Sequence, residues 1–233
     1  MQSKILKKVQ YIRADGELVA TSERIVRETP LKVMIDGRHF VTSMILAAME
    51  EEYVTGYLYV QGVISSAADI VSIGIRDNVA NVRLREDREK RTISEGISSS
   101  LIVGKEDVFN CVRAILKSPV FKETETVHSA GLFVDGKETV SITEDLGRHN
   151  ALDKVIGAGL TKSVDFRRIL AASTGRQPVE MVVKCRNAGI PIIATKGVPT
   201  SMAVELAERT GITIAGLVRG DTMIVYSHPE RIE

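Results

Sequence analysis

The sequence predicts an α/β fold, a parallel sheet covered by helices, preceded by a smaller mixed α+β unit. Three observations carry this. Between Arg168 and Tyr226, short apolar runs alternate with segments of helix length. Gly189 and Gly211 stand where two of those helices should stop, the place where a left-handed residue closes a helix. The pattern changes near Lys105, dividing the 233 residues into an N-terminal unit, 1–104, and a larger one, 105–233. Strand–helix–strand–helix–strand order demands parallel pairing with right-handed crossovers.

In the first unit, Leu31–Ile35 and His39–Ser43 flank Asp36-Gly37, a two-residue hairpin signal. Leu46 to Val60 reads as a helix, with Glu50, Glu51 and Glu52 near its start, where acids suit the helix dipole. Ile70–Arg76 and Val79–Arg85 bracket Asp77-Asn78 as a second hairpin. The run Glu86–Arg91 reads as a solvated charged turn, and Thr92–Ser100, rich in serine and glycine, as a mobile loop into the second unit.

In the second unit, Val108, Cys111, Val112, Ile115 and Leu116 recur at helical spacing, ending before Ser118-Pro119. A hairpin follows, Thr126–Val134 and Glu138–Ile142 about Asp135-Gly136. The next helix sets Leu152, Val155, Ile156 and Leu160 on one face. Ser141-Ile142-Thr143-Glu144 at its entrance has capping-box spacing, with Thr143 and Asp145 as alternative caps. Arg168–Ser173, Ile190–Thr195 and Ile212–Val218 are then strands, and Pro178 suits a first helical turn. Arg219–Thr222 leads into a last strand, Met223–Tyr226.

Composition narrows the function classes. At 44% hydrophobic and 26% charged residues with a net charge of +1, the chain carries no global field for nucleic acid or a membrane surface. No apolar run approaches the ~20 residues of a membrane span. Met1–Val9 lacks the apolar core of a signal peptide. A cytoplasmic protein is expected. The two cysteines, Cys111 and Cys185, lie far apart on apolar faces and read as inert core sulfurs, with no CxxC pattern.

Any anion site must therefore be local. Thr174–Gln177, Lys196–Ser201 and Arg219–Thr222 fall at the carboxyl ends of the parallel strands, where such sheets collect ligands. Gly175 and Gly197 allow close backbone approach, and Arg176, Lys196 and Arg219 suit phosphate. Two readings stand: a phosphate or nucleotide site, or the turns and caps any αβ fold needs. Glu144-Asp145-Leu146-Gly147-Arg148-His149-Asn150 is the densest polar stretch and can join that edge, for proton transfer or ligand binding. His128 lies on a strand, where a lone histidine is more often structural. His39 and His228 stand alone.

From Glu144 to Lys154 the chain resembles the signature of the formate dehydrogenase accessory (FdhD, sulfur carrier) family. The resemblance extends through His128-Ser129-Ala130-Gly131, Ser173-Thr174-Gly175-Arg176, Pro199-Thr200-Ser201, Leu217-Val218-Arg219-Gly220 and, upstream, Thr55-Gly56-Tyr57-Leu58. It implies a larger domain similar to cytidine deaminases, a three-layer αβα sandwich. It implies a Mo-bis(molybdopterin guanine dinucleotide) cofactor held by its guanine nucleotide ends, and passage of sulfur from a cysteine desulfurase through a CxxC loop. The client would be a formate dehydrogenase-like molybdo- or tungstoenzyme, and the protein a homodimer. The family's cofactor-contacting segment maps onto Leu217, Val218, Arg219, Gly220, Asp221 and Thr222, with Leu217 in place of an aromatic residue. The site expected here adds His128, Glu144, Asp145, Arg148, His149, Gly175, Arg176, Lys196, Thr200 and Ser201.

The sequence departs from the family where the sulfur is carried. Ile93-Ser94-Glu95-Gly96-Ile97-Ser98-Ser99 matches the cysteine loop with Glu95 and Ser98 at the cysteine positions. Neither side chain forms a persulfide, which needs a thiolate. The expectation is a cofactor-binding accessory protein without a family nucleophile. The alternative is an active sulfurtransferase using a non-family thiol. Cys185 has no partner cysteine, so no zinc is expected.

Overall fold

The computed structural model describes residues 5–14, 18–89 and 91–233, and only the backbone of residues 11–14, 18–19 and 21. Met1–Lys4 and Lys90, which enter the readings above, lie outside the described residues. Strands β1 (Leu6–Ala14) and β2 (Leu18–Val26) pair antiparallel as a two-stranded ribbon. Nothing in the sequence reading anticipated this ribbon, although Asp15-Gly16 stands between its strands. Strands β3 (Thr29–Ile35) and β4 (Arg38–Ile45) form a hairpin, as do β5 (Ile70–Arg76) and β6 (Val79–Leu84). They join as a four-stranded sheet, β4-β3-β6-β5, through a parallel β3–β6 pair.

The larger sheet has the order β12-β11-β10-β9-β7-β8. Its strands are β7 (His128–Val134), β8 (Glu138–Asp145), β9 (Ile169–Ser173), β10 (Ile192–Thr195), β11 (Thr213–Arg219) and β12 (Thr222–Ser227). The central β9, β10 and β11 are mutually parallel, as the alternating pattern required, while β7, β8 and β12 run antiparallel to their neighbours. Helix α2 (Lys105–Ile115) covers one face, setting Val108, Val112 and Ile115 against Leu170, Ile192 and Ala215. The other face is covered by α4 (Arg148–Thr161), α5 (Val179–Ala188) and α6 (Ser201–Thr210). Each of these strands and helices buries an apolar surface only by pairing with the next layer.

Helix α1 (Glu50–Val60) follows the first hairpin. Its residues Tyr53, Val54 and Leu58 share one continuous buried cluster with β3 and β6 on one side and with α4 on the other. The chain on both sides of residue 104 therefore contributes to a single core. The contact between α1 and α4 is backbone on backbone. A Cβ on Gly56 would lie 1.8 Å from the Asp153 carbonyl oxygen, and one on Gly157 would lie 1.9 Å from that of Glu52. Only glycine permits that approach. No helix among the described residues is long and apolar enough to cross a membrane.

Several boundaries differ from expectation for identifiable reasons. Helix α1 begins at Glu50, not Leu46, because Met49 takes a left-handed conformation and Leu46 is bonded to Asp145 and Lys154. A short helix, α3 (Pro119–Thr124), fills the gap after Ser118, with proline in its first turn. Strand β8 runs on to Asp145, so α4 is capped at Gly147 and no capping box forms. Thr143 instead donates its hydroxyl hydrogen to the Ala151 carbonyl at 2.7 Å.

Replacing Gly157 with alanine should cost more than about 3 kcal/mol in urea unfolding, since neither helix backbone can give way. Gly74→Ala, where a Cβ meets nothing within 4 Å, should be close to neutral in the same assay.

Candidate functional site

The topology brings the sequence-predicted segments to one sheet edge. The segments 174–177, 196–201 and 219–222 lie at the carboxyl ends of β9, β10 and β11. Strand β7 starts at the same edge, because Ala130 pairs with Ser173. Strand β8 ends there, because Asp145 pairs with His128. Thus His128, Arg148, His149, Gly175, Arg176, Lys196 and Arg219 gather at the carboxyl ends of the parallel strands.

Glycines let these loops interlock. A Cβ on Gly175 would lie 2.9 Å from Arg148 Cδ and 3.3 Å from His128 Nδ1, so both side chains pack on that glycine. One on Gly197 would lie 2.7 Å from the Gly175 carbonyl oxygen. The Thr195 hydroxyl donates to that same oxygen at 2.6 Å. Gln177 N–H donates to Val198 O at 2.9 Å, and Thr200 N–H to Gln177 O at 3.0 Å. Leu217, in the left-handed region at φ 50°, sits in a bulge of β11 and donates its N–H to Gly197 O at 2.8 Å. The three loops are thereby one hydrogen-bonded unit. Beyond the bulge Arg219, Gly220, Asp221 and Thr222 form an exposed turn, whose Thr222 hydroxyl donates to Arg219 O at 3.1 Å.

Part of the polar signature is turned inward. Asp145 and Lys154 have fully buried side chains paired at 2.6 Å. Asp145 also accepts from Leu46 N–H at 3.0 Å, from Gly147 N–H at 3.1 Å and from the Asn150 amide at 2.9 Å. Lys154 donates to Leu46 O at 2.9 Å and to Glu144 O at 3.1 Å. Burial lowers the Lys154 pKa, and Asp145 opposes that shift. The Glu144 carboxylate accepts the Val120 and Phe121 N–H groups at 3.2 and 2.7 Å, at the start of α3. Asp145 and Glu144, expected to line the site, are thus held by the fold itself. Thr200 is partly engaged too, since its hydroxyl caps α6 by accepting from Ala203 N–H.

Four cations remain at this edge. Arg176, Lys196 and Arg219 are exposed, and Arg148 is half-buried. Among the described residues none of these four has a carboxylate partner within ion-pair distance. Arg148 Nε and His149 Nε2 are buried without a hydrogen-bond partner, and so are both heteroatoms of the Gln177 carboxamide. Gln177 lies within the segment singled out from sequence, yet its burial had no sequence signal. Burial, and then the neighbouring Arg148, lower the pKa values of both His128 and His149. The edge therefore holds cations without carboxylate partners and polar groups that lack partners, with Asp221 and Glu180 as its exposed acids.

The thiols and the loop at Glu95 and Ser98 lie elsewhere. Cys111 and Cys185 are buried, and burial pushes each thiol up to about 12. Ile97 N–H donates to Thr210 O at 2.8 Å, and the Ser99 hydroxyl donates to Arg167 O at 2.6 Å. Thr210 and Arg167 precede β11 and β9, so this loop runs along the amino ends of the parallel strands. Ser98 there lines a cleft of ≈ 660 Å³ with Arg167, Arg168, Asp135 and Asp165. The length of β9 separates the two edges, roughly 15 Å. Among the described residues no group of three or more His, Cys, Asp or Glu is placed to hold a metal ion. His228-Pro229-Glu230 has a His-x-Glu spacing, but His228 is bonded to Glu230 and to the Glu208 carbonyl.

Comparison with known proteins agrees across the whole chain. Residues 26–100 and 92–233 match the model of the FdhD/NarQ family. The "Sulfur carrier protein FdhD" of Methanothermobacter thermautotrophicus is 34% identical over 98% of this chain and 99% of its own. That of Staphylococcus haemolyticus is 31% identical over 100% and 99%. A crystal structure assigned as a formate dehydrogenase accessory protein from Desulfotalea psychrophila superposes with a TM-score of 0.86 at 29% identity, covering 98% of this chain and 100% of that one.

Because the folded chain holds His128 and His149 below the ordinary value of about 6.5, the unfolded chain binds more protons just below that pH. Stability they contribute near neutrality is lost as pH falls through the folded values. Asp153, raised to about 6 by burial despite Lys184 at 2.6 Å, acts in the opposite sense. Comparison of the parent with a His128→Gln/His149→Gln variant isolates the histidines. In urea unfolding between about pH 7 and pH 5, the variant should lose less stability than the parent; equal losses would contradict the assignment.

Proposed function

This chain belongs to the FdhD/NarQ family, and from that premise we propose that it holds the guanine nucleotide end of a molybdopterin guanine dinucleotide type cofactor. In that role it serves as an accessory protein for a formate dehydrogenase-like enzyme. The observation that carries this reading is the set of cations without carboxylate partners, Arg148, Arg176, Lys196 and Arg219, at one sheet edge. The same edge presents the starts of α5 and α6, whose free N–H groups favour anions. Arg176, Lys196 and Arg219 would hold phosphate oxygens through charge-assisted hydrogen bonds. The partnerless Arg148 Nε and His149 Nε2 supply donor and acceptor capacity that such a group fits. When bound, the cofactor supplies the molybdenum redox centre, and this chain's residues bind and orient its nucleotide end.

The curated relatives are named sulfur carriers. A sulfur relay in this chain would need a thiolate, and Glu95 and Ser98 offer none. Cys111 is further committed by donating to the Gly136 carbonyl at 3.1 Å. The second reading, an active sulfurtransferase with a non-family thiol fed by a cysteine desulfurase, is therefore the weaker one. The reading also includes a cytoplasmic homodimer of two units, residues 1–104 and 105–233. The larger unit would be cytidine deaminase-like, as the family resemblance implies, and the helices on both faces of its sheet are compatible with that.

Calorimetric titration with GDP, using ADP and CDP as controls, tests the proposal. Saturable binding of GDP is expected, with Arg219→Ala weakening it about tenfold or more. Absence of binding by any nucleotide would contradict the reading.

A further inference from the structure

We propose that Thr174 is a positioning residue whose hydroxyl holds the neutral His128 ring as its Nε2–H tautomer, so that His128 donates outward to an oxygen of the bound ligand. The contact with a ligand rests on the reading of this edge as a nucleotide site; the tautomer does not. Thr174, the first residue after β9, is latched to β7 by two bonds to Ser129. Its N–H donates to Ser129 O at 3.0 Å, and its hydroxyl oxygen accepts from Ser129 N–H at 3.1 Å. These bonds fix Oγ1 beside the imidazole, 3.4 Å from His128 Nδ1. The contact is long, and its direction comes from the hydroxyl being held at a second point.

A hydroxyl has one hydrogen and two lone pairs. Ser129 N–H occupies a lone pair, and among the described residues the hydroxyl hydrogen has no acceptor other than Nδ1. Nδ1 therefore accepts, which leaves the proton of the neutral ring on Nε2. Gly175 backs the same side of the ring, since a Cβ there would lie 3.3 Å from Nδ1. His128 Nε2 has no partner among the described residues and, unlike His149 Nε2, is not closed off from solvent. Burial and Arg148 favour the neutral ring, against Asp145. An Nε2–H is a donor whether the ring is neutral or protonated, so His128 presents the same hydrogen in either state. A ligand oxygen drawn in by Arg176, Lys196 and Arg219 meets in it a directional donor that those mobile cations do not supply.

The test is nitrogen NMR of the isotope-labelled full chain at about pH 8, where an ordinary imidazole is neutral. The parent is compared with Thr174→Ser and Thr174→Asp, and GDP titration is run on the parent, Thr174→Ser and Thr174→Val. His128 in the parent should report the Nε2–H form. Serine keeps the hydroxyl and should preserve both the tautomer and the GDP affinity. Aspartate still accepts from Ser129 N–H but has no hydrogen to give, so it should invert the ring to Nδ1–H. Valine offers neither and should weaken GDP binding about threefold or more. An Nδ1–H ring in the parent, or an aspartate variant that keeps Nε2–H as it would beside a merely structural threonine, would overturn the proposal. A valine variant that binds GDP as tightly as the parent would overturn the link to the ligand. A parent that binds no GDP would overturn the nucleotide reading and the ligand contact together, while the spectra decide the tautomer separately.

Discussion

Helix α4 meets α1 through the backbones of Gly157 and Gly56, with no room for a Cβ on either side. That contact joins the four-stranded sheet to the six-stranded one through a shared core. It also fixes the axis of α4, and with it the position of the helix's first turn. Arg148 and His149 stand in that turn, at the carboxyl edge of the large sheet. The Asp145–Lys154 pair completes the clamp by binding both the N–H and the carbonyl of Leu46, so the chain entering α1 is tied to the loop entering α4. A buried ion pair of this kind contributes little net stability but is costly to break singly. Its effect here is to hold one geometry.

This arrangement divides the polar signature into two functions. Glu144, Asp145, Asn150 and Lys154 bond inward and position the loop. Arg148, His149 and Gln177 retain atoms without partners and so have binding capacity left over. Burial keeps both histidines inclined to the neutral form, which leaves Arg148, Arg176, Lys196 and Arg219 as the cations an anion would meet. The loop bearing Glu95 and Ser98 lies at the opposite ends of the strands. Glu95 and Ser98, which carry no thiol, are thus remote from the cationic edge.

The order and direction of β9, β10 and β11 were legible in the sequence because glycine, proline and apolar periodicity all agree there. The edge location of Thr174–Gln177, Lys196–Ser201 and Arg219–Thr222 follows from that order alone. The inward commitment of Asp145 was not legible, since a carboxylate before a helix looks the same whether it faces water or a buried lysine. Helix α1 was read as starting too early because Leu46–Met49 carries helical residues whose backbone is held by Asp145 and Lys154, 99 and 108 positions away. The β1–β2 ribbon was missed, and the state of Gln177 emerges only when two distant loops are bonded side by side.

Hydrogen–deuterium exchange with and without GDP locates binding on the fold most directly. Protection should concentrate in residues 174–177, 196–201 and 219–222 and in the first turn of α4, the segments that meet at the carboxyl edge. Protection absent there, or confined to the cleft lined by Ser98, Arg167 and Arg168 at the amino edge, would contradict the account.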